Sequence, residues 1–122
     1  MIPIGKPLIG EEEIFAVAEV MRSGMLAQGP CVDRFEKEFA SYCGVPHSIA
    51  VNNGTAALHA ALLALGIGIG DEVIVPSFTF FATASSVCMC GAKPVFADVE
   101  EDTFNLSIEA VQESLTQRTR AV

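Results

Sequence analysis

The second half of the sequence alternates short, continuous apolar runs with segments of helical spacing. The runs are residues 48–51, 73–75 and 94–97, and residues 119–122 resemble the approach to a fourth strand. Strands that are buried on both faces are continuously apolar, whereas strands with one solvated face alternate. Repeated strand–helix units build right-handed crossovers. The pattern therefore predicts an α/β fold, with a mostly parallel sheet that carries helices on both faces.

Two amphipathic helices are predicted ahead of the first strand. Residues 11–23 begin with three glutamates, which the helix dipole favours, and Gly24 ends this helix. Pro30 begins a second helix that ends at Gly44. Later helices are predicted at residues 55–65, 81–90 and 108–115, the last with Ser107 as its N-cap. The chain thus divides into an N-terminal helical segment, residues 1–45, and β/α units, residues 46–122.

Composition excludes several classes of protein. Of the 122 residues 51% are hydrophobic, which excludes a disordered tail, and the net charge of −8 argues against nucleic-acid binding. The longest near-apolar stretch, residues 56–70, is shorter than the roughly 20 residues of a membrane-spanning helix, and no secretory signal begins the sequence. A cytoplasmic protein without membrane contact is expected. The four cysteines are interpreted as small buried hydrophobes, and no metal site is expected.

The turn Asn52-Asn53-Gly54-Thr55 joins the first predicted strand to a helix. Ligands of open parallel sheets bind beyond the carboxyl ends of strands, and free N–H groups at a helix start favour an anion. Gly54 lets a ligand approach the backbone, and the Thr55 hydroxyl can donate a hydrogen bond. The turn is therefore a candidate phosphate site. Ordinary helix capping explains the same residues, so both interpretations stay open.

Other candidate residues have a structural alternative as well. Residues 76–83 follow the second predicted strand and contain three phenylalanines, which either stack on a planar ligand or belong to the core. Asp98 follows the third strand as a site residue or a turn residue. His47 and His59 are interpreted as structural. The glycines of residues 66–70 lack the spacing of a dinucleotide fingerprint and are interpreted as a helix end and a turn.

Several short segments occur in one order along essentially the whole chain. They are Ile2-Pro3 and Lys6-Pro7, Ser23-Gly24 to Gln28-Gly29-Pro30, Phe35-Glu36, Val51-Asn52-Asn53-Gly54-Thr55-Ala56-Ala57-Leu58, Gly70-Asp71-Glu72-Val73-Ile74-Val75-Pro76-Ser77-Phe78-Thr79-Phe80, and Pro94-Val95-Phe96-Ala97-Asp98-Val99. Together they resemble the start of the DegT/StrS family of sugar aminotransferases, which use pyridoxal phosphate (PLP) and have the type I aminotransferase fold. The resemblance implies that the chain is the N-terminal part of the large domain of that fold.

The resemblance also implies roles for individual residues. Gly54 and Thr55 match the turn that holds the PLP phosphate, and Phe80 matches the aromatic residue whose ring lies against the pyridine ring. The loop around Gln28 resembles a region near the sugar substrate or the neighbouring subunit. Such enzymes move an amino group from glutamate or glutamine to a keto group of a nucleotide-linked sugar, and a homodimer is implied for the full-length form.

The lysine that binds PLP covalently in this family has no match in the sequence. Lys6, Lys37 and Lys93 are the only lysines, and none stands in the family's lysine motif. We therefore expect a fragment that cannot transaminate alone and that has no catalytic residue of its own. The alternatives are a truncated, non-catalytic relative with a binding or regulatory role, and an ordinary nucleotide-binding α/β domain.

Overall fold

The N-terminal unit consists of two helices. The computed structural model describes residues 5–122, so Ile2-Pro3 lies outside the described residues. Helix α1 spans Glu11–Ser23 and helix α2 spans Pro30–Cys43. They end at Gly24 and Gly44, whose φ angles of 74° and 68° lie in the left-handed region that favours glycine. Both predicted helices and their ends are confirmed.

The strand predicted at residues 48–51 is not formed. Ser48 Oγ donates a hydrogen bond to the Glu36 carbonyl oxygen at 2.6 Å, and the Ala50 N–H donates to Glu36 Oε1 at 2.8 Å. No strand of the described chain pairs with this segment. A strand needs a neighbour for its backbone groups, and an apolar run does not supply one. The prediction of this strand is therefore wrong for the described residues.

A parallel sheet lies at the centre of the second unit, Val51–Val122. The elements in chain order are α3 (Gly54–Ala64), β1 (Glu72–Pro76), α4 (Ala82–Met89), β2 (Lys93–Ala97), α5 (Ile108–Ser114) and β3 (Thr119–Ala121). The strand order is β2-β1-β3, with both pairings parallel. The remaining predicted helices and strands are confirmed. The glycines of residues 66–70 form the predicted turn, in which Gly66 and Gly70 have positive φ.

The core of this unit lies between the central strand and helix α4. Val73 and Val75 alternate onto one face of β1 and pack with Val87 of α4. Ile67, in the loop before β1, and Ala92, directly before β2, belong to the same cluster. Ile74 lies on the opposite face of β1 and is also buried. The central strand is thus buried on both faces, as its continuous apolar run predicted.

One acidic residue is buried among these apolar side chains. The Glu72 carboxylate accepts hydrogen bonds from Thr116 Oγ1 at 2.6 Å and from Arg118 Nη2 at 2.7 Å. Lys93 Nζ lies 3.4 Å from Glu72 Oε1. The hydrogen bonds from Thr116 and Arg118 lower the pKa of Glu72 to about 2. The carboxylate therefore links the start of β1 to the first residue of β2 and to two residues just before β3.

Much apolar surface of the helices remains uncovered. Helices α1 and α3 contain no buried residue, and α2 contains only Ala40. The interpretation of the cysteines as buried is wrong for Cys31, Cys43 and Cys88, which are exposed because their helix faces have no covering element in the described chain. None of the helices within residues 5–122 has both the length and the hydropathy needed to cross a membrane.

Candidate functional site

The turn before α3 leaves hydrogen-bond donors unused. Asn53 is the N-cap, and its side-chain oxygen accepts the Ala56 N–H at 2.9 Å. The Asn53 carbonyl accepts the Ala57 N–H. Within residues 5–122, no acceptor pairs with the N–H groups of Gly54 and Thr55 or with the Thr55 hydroxyl. The capping interpretation is correct for Asn53, and it leaves Gly54 and Thr55 able to bind an anion.

The fold itself does not require glycine at position 54. Its φ angle is not in the left-handed region, and a Cβ built on Gly54 meets no heavy atom within 4 Å. Glycine destabilises a helix relative to alanine, and position 54 has room for a Cβ. The fold therefore gains no stability from having glycine there. The space that a Cβ would fill is available to a ligand oxygen approaching the free N–H groups.

A hollow of about 510 Å³ runs along the same helix. Thr55 lines it, and His59 lines it one helical turn later. The spacing of four residues between Thr55 and His59 is visible in the sequence, and the structural interpretation of His59 stays a prediction. The full lining is Asn52, Asn53, Thr55, Ala56, His59, Ala60, Leu63 and Met89. Phe80 does not line this hollow.

The three phenylalanines after β1 are not part of the core. Phe78, Phe80 and Phe81 are 67%, 77% and 79% exposed, so the core interpretation of these rings is wrong. They precede α4 at the carboxyl end of the central strand. The Phe80 carbonyl accepts the Thr83 N–H at 3.1 Å. The backbone of Phe80 is thus fixed at the start of α4 while most of its ring is accessible to a ligand.

Gln28 belongs to the first unit. It lines an open hollow of about 390 Å³ together with Gly29, Pro30, Val32, Asp33 and Glu36. Its role toward a substrate remains a prediction. No group of His, Cys, Asp and Glu within the described range could hold a metal ion.

The model of the DegT/DnrJ/EryC1/StrS aminotransferase family matches residues 7–122. The chain belongs to this family. The resemblance found in the motifs is thereby confirmed.

Individual members of the DegT/StrS family extend this result. The spore coat polysaccharide biosynthesis protein SpsC of Bacillus subtilis is 50% identical over 121 residues, which are 99% of this chain and 31% of SpsC. Spr1654 of Streptococcus pneumoniae, assigned as a sugar aminotransferase and solved in PLP, PMP and apo forms, superposes with a TM-score of 0.92 at 37% identity. That match covers 98% of this chain and 30% of Spr1654.

A third relative gives the same result. An aminotransferase of Psychrobacter cryohalolentis is 43% identical with a TM-score of 0.88, over 97% of this chain and 31% of the relative. The predicted α/β aminotransferase fold is confirmed by these superpositions. The chain spans about a third of the length of each of these relatives.

Proposed function

We propose that the chain is the cofactor-binding N-terminal part of a PLP-dependent sugar aminotransferase. In this proposal, the enzyme moves an amino group from glutamate or glutamine to a keto group of a nucleotide-linked sugar. Membership of the DegT/StrS family across residues 7–122 carries the proposal. The identity of 50% with a polysaccharide biosynthesis protein favours a sugar destined for a polysaccharide. A homodimer is proposed for the full-length form.

Gly54 and Thr55 are the residues that would hold the PLP phosphate. Their N–H groups and the Thr55 hydroxyl have no acceptor within residues 5–122, and the space at Gly54 is open. The dipole of α3 adds partial positive charge at this end. Phe80 would place its exposed ring against the pyridine ring. When bound, PLP supplies the electron sink of transamination, while these residues bind and orient it.

The experiment that tests this site removes single donors without removing the helix. Gly54→Pro deletes one N–H, and proline is well accepted at the first position of a helix. Thr55→Val deletes the hydroxyl at nearly constant shape. Because hydrogen bonds to charged groups contribute about 1.5–3 kcal/mol, each variant is expected to weaken PLP binding by about ten- to a hundredfold. Equilibrium dialysis against PLP measures the affinity, and circular dichroism verifies that α3 persists.

Matched controls separate the donors from the shape of the turn. Thr55→Ser keeps a hydroxyl and is expected to bind PLP nearly as tightly as the parent chain. Gly54→Ala keeps the N–H but fills the open space, so it is expected to weaken binding while leaving stability unchanged or slightly higher. Unaltered PLP affinity in both Gly54→Pro and Thr55→Val would refute the proposed phosphate site.

None of the three lysines is expected to bind PLP covalently. Lys37 Nζ donates a hydrogen bond to Asp33 Oδ2 at 2.8 Å, and this bond raises the pKa of Lys37, which favours the protonated, non-nucleophilic amine. Lys93 pairs with Glu72. Borohydride reduction in the presence of PLP, followed by mass spectrometry, is therefore expected to give no stoichiometric adduct. A stoichiometric adduct lost in a Lys6→Arg, Lys37→Arg or Lys93→Arg variant would contradict this prediction.

A further inference from the structure

Two residues at the carboxyl ends of neighbouring strands are bonded to each other. The parallel register pairs Pro76 of β1 with Ala97 of β2, so the following residues, Ser77 and Asp98, lie side by side. The Ser77 N–H donates to the Ala97 carbonyl at 2.8 Å, and Ser77 Oγ donates to Asp98 Oδ1 at 3.1 Å. The same Oδ1 accepts the Val99 N–H at 2.8 Å. One carboxylate oxygen thus joins the chain leaving β1 to the chain leaving β2.

A second contact joins the same two segments. The rings of Phe78 and Phe104 lie with centroids 5.5 Å apart at an interplanar angle of 43°. Phe104 belongs to the loop between β2 and α5, which is closed by an antiparallel bridge between Val99 and Leu106. The φ angle of Phe104 is 56°, a left-handed conformation that is unfavourable for a bulky side chain. The loop therefore adopts a costly backbone conformation at the residue that contacts Phe78.

These contacts are poorly placed to stabilise the core. Ser77 and Asp98 are exposed, and both rings of the Phe78–Phe104 pair are more than half exposed. Exposed polar pairs contribute little to folding because water competes for them. What the contacts do fix is the path of the chain immediately after β1, and Phe80 follows two residues after Phe78.

We propose that Asp98 and the loop of residues 99–106 act as a positioning support that holds Phe80 where its ring meets the PLP ring. Asp98 is a positioning residue here, acting through Ser77, and it does not touch the cofactor. The inference rests on the proposed function, because Phe80 needs a fixed position only if it receives a ligand. If the Phe80 ring is already held in place, PLP binding does not have to supply the free energy that orders it.

The test combines one readout that needs PLP with one that does not. With 4-fluorophenylalanine incorporated and the Phe80 signal assigned through Phe80→Leu, fluorine NMR reports the environment of the Phe80 ring in the absence of PLP. Asp98→Ala and Ser77→Ala are each expected to shift or broaden the Phe80 signal. They are also expected to weaken PLP binding about three- to tenfold, and the double variant is expected to lose no more than Asp98→Ala alone, because both changes remove the hydrogen bond between Ser77 and Asp98.

Conservative variants separate positioning from other roles. Asp98→Asn keeps an acceptor oxygen for Ser77 and Val99, so it is expected to restore both the Phe80 signal and PLP affinity. Phe104→Gly removes the ring but tolerates the positive φ, and it is expected to disturb Phe80 without unfolding the unit. Absence of PLP binding in the parent chain would refute the proposed function. An unchanged Phe80 signal in Asp98→Ala, or additive losses in the double variant, would refute the positioning role.

Discussion

Glu72→Gln is expected to lower the melting temperature by about 5 °C and to loosen β3. The Glu72 side chain is only 3% exposed, and its partners Thr116 and Arg118 lie just before β3. Removing the negative charge weakens the contacts that keep this short strand at the edge of the sheet. Thermal unfolding measures the first effect, and hydrogen exchange at residues 116–121 measures the second. Glu113→Gln, a change at an exposed residue of α5, is the matched control and is expected to alter neither quantity.

The same residue predicts a dependence of stability on pH. The pKa of Glu72 is lowered from 4.5 to about 2 in the folded chain, so between these values the unfolded chain binds more protons. The contribution of Glu72 is therefore complete above pH 4.5 and is lost as the pH falls through about 2. Denaturation midpoints of the parent chain and of Glu72→Gln are expected to converge across this window. A difference that stays constant down to pH 2 would show that the Glu72 charge is not responsible.

The second large effect is expected in solution behaviour: the 122-residue chain associates reversibly as its concentration rises. Helix α1 and the residue Ile9 before it form a mostly apolar hollow, whose lining is Ile9, Glu13, Ile14, Val17, Ala18 and Met21. In the described sheet, β2 and β3 each have one unpaired edge. Apolar patches and open strand edges favour association. Light scattering coupled to size exclusion, repeated over a dilution series, measures the mass.

Changes on α1 test which surface is responsible. Val17→Glu with Met21→Lys interrupts the apolar face of α1 and is expected to shift the chain toward the monomer. Glu12→Gln, on the same helix but outside the residues that line the hollow, is the control and is expected to have little effect. A monomer at every concentration with a sharp cooperative melt would contradict the prediction, because it would require the apolar faces to cover one another.

Local signals account for the part of the fold that was predictable. Glycine at the helix ends, proline at the start of α2 and Ser107 before α5 act on their immediate neighbours, so these boundaries agree with the sequence to within a residue or so. The prediction of a strand at residues 48–51 was wrong because a strand depends on a partner that is often distant in sequence. The apolar run was present, but its pairing could not be deduced from it.

The residues of the candidate site likewise fall into those that a local sequence pattern predicts and those that depend on distant contacts. Gly54 and Thr55 were found because a polar turn before a helix is a local pattern. The bond between Ser77 and Asp98 depends on the register of two strands that are 21 residues apart, which the sequence does not state. Asp98 was correctly given a turn hydrogen bond as one alternative, but its partner could not be named. Glu72 was overlooked because the residues that neutralise it lie up to 46 positions later.

The strand order β2-β1-β3 has a consequence for synthesis on the ribosome. β1 emerges first and β2 follows after one helix, so Lys93 can reach Glu72 while Thr116 and Arg118 are still enclosed in the ribosomal exit tunnel. The nascent chain therefore holds a carboxylate at the sheet with a single cation beside it until β3 arrives. Emergence of β3 brings Arg118 to Glu72 and completes the neutralisation of its carboxylate. A translational pause before β3 emerges would prolong the exposure of the unpaired edge of β1 to chaperones.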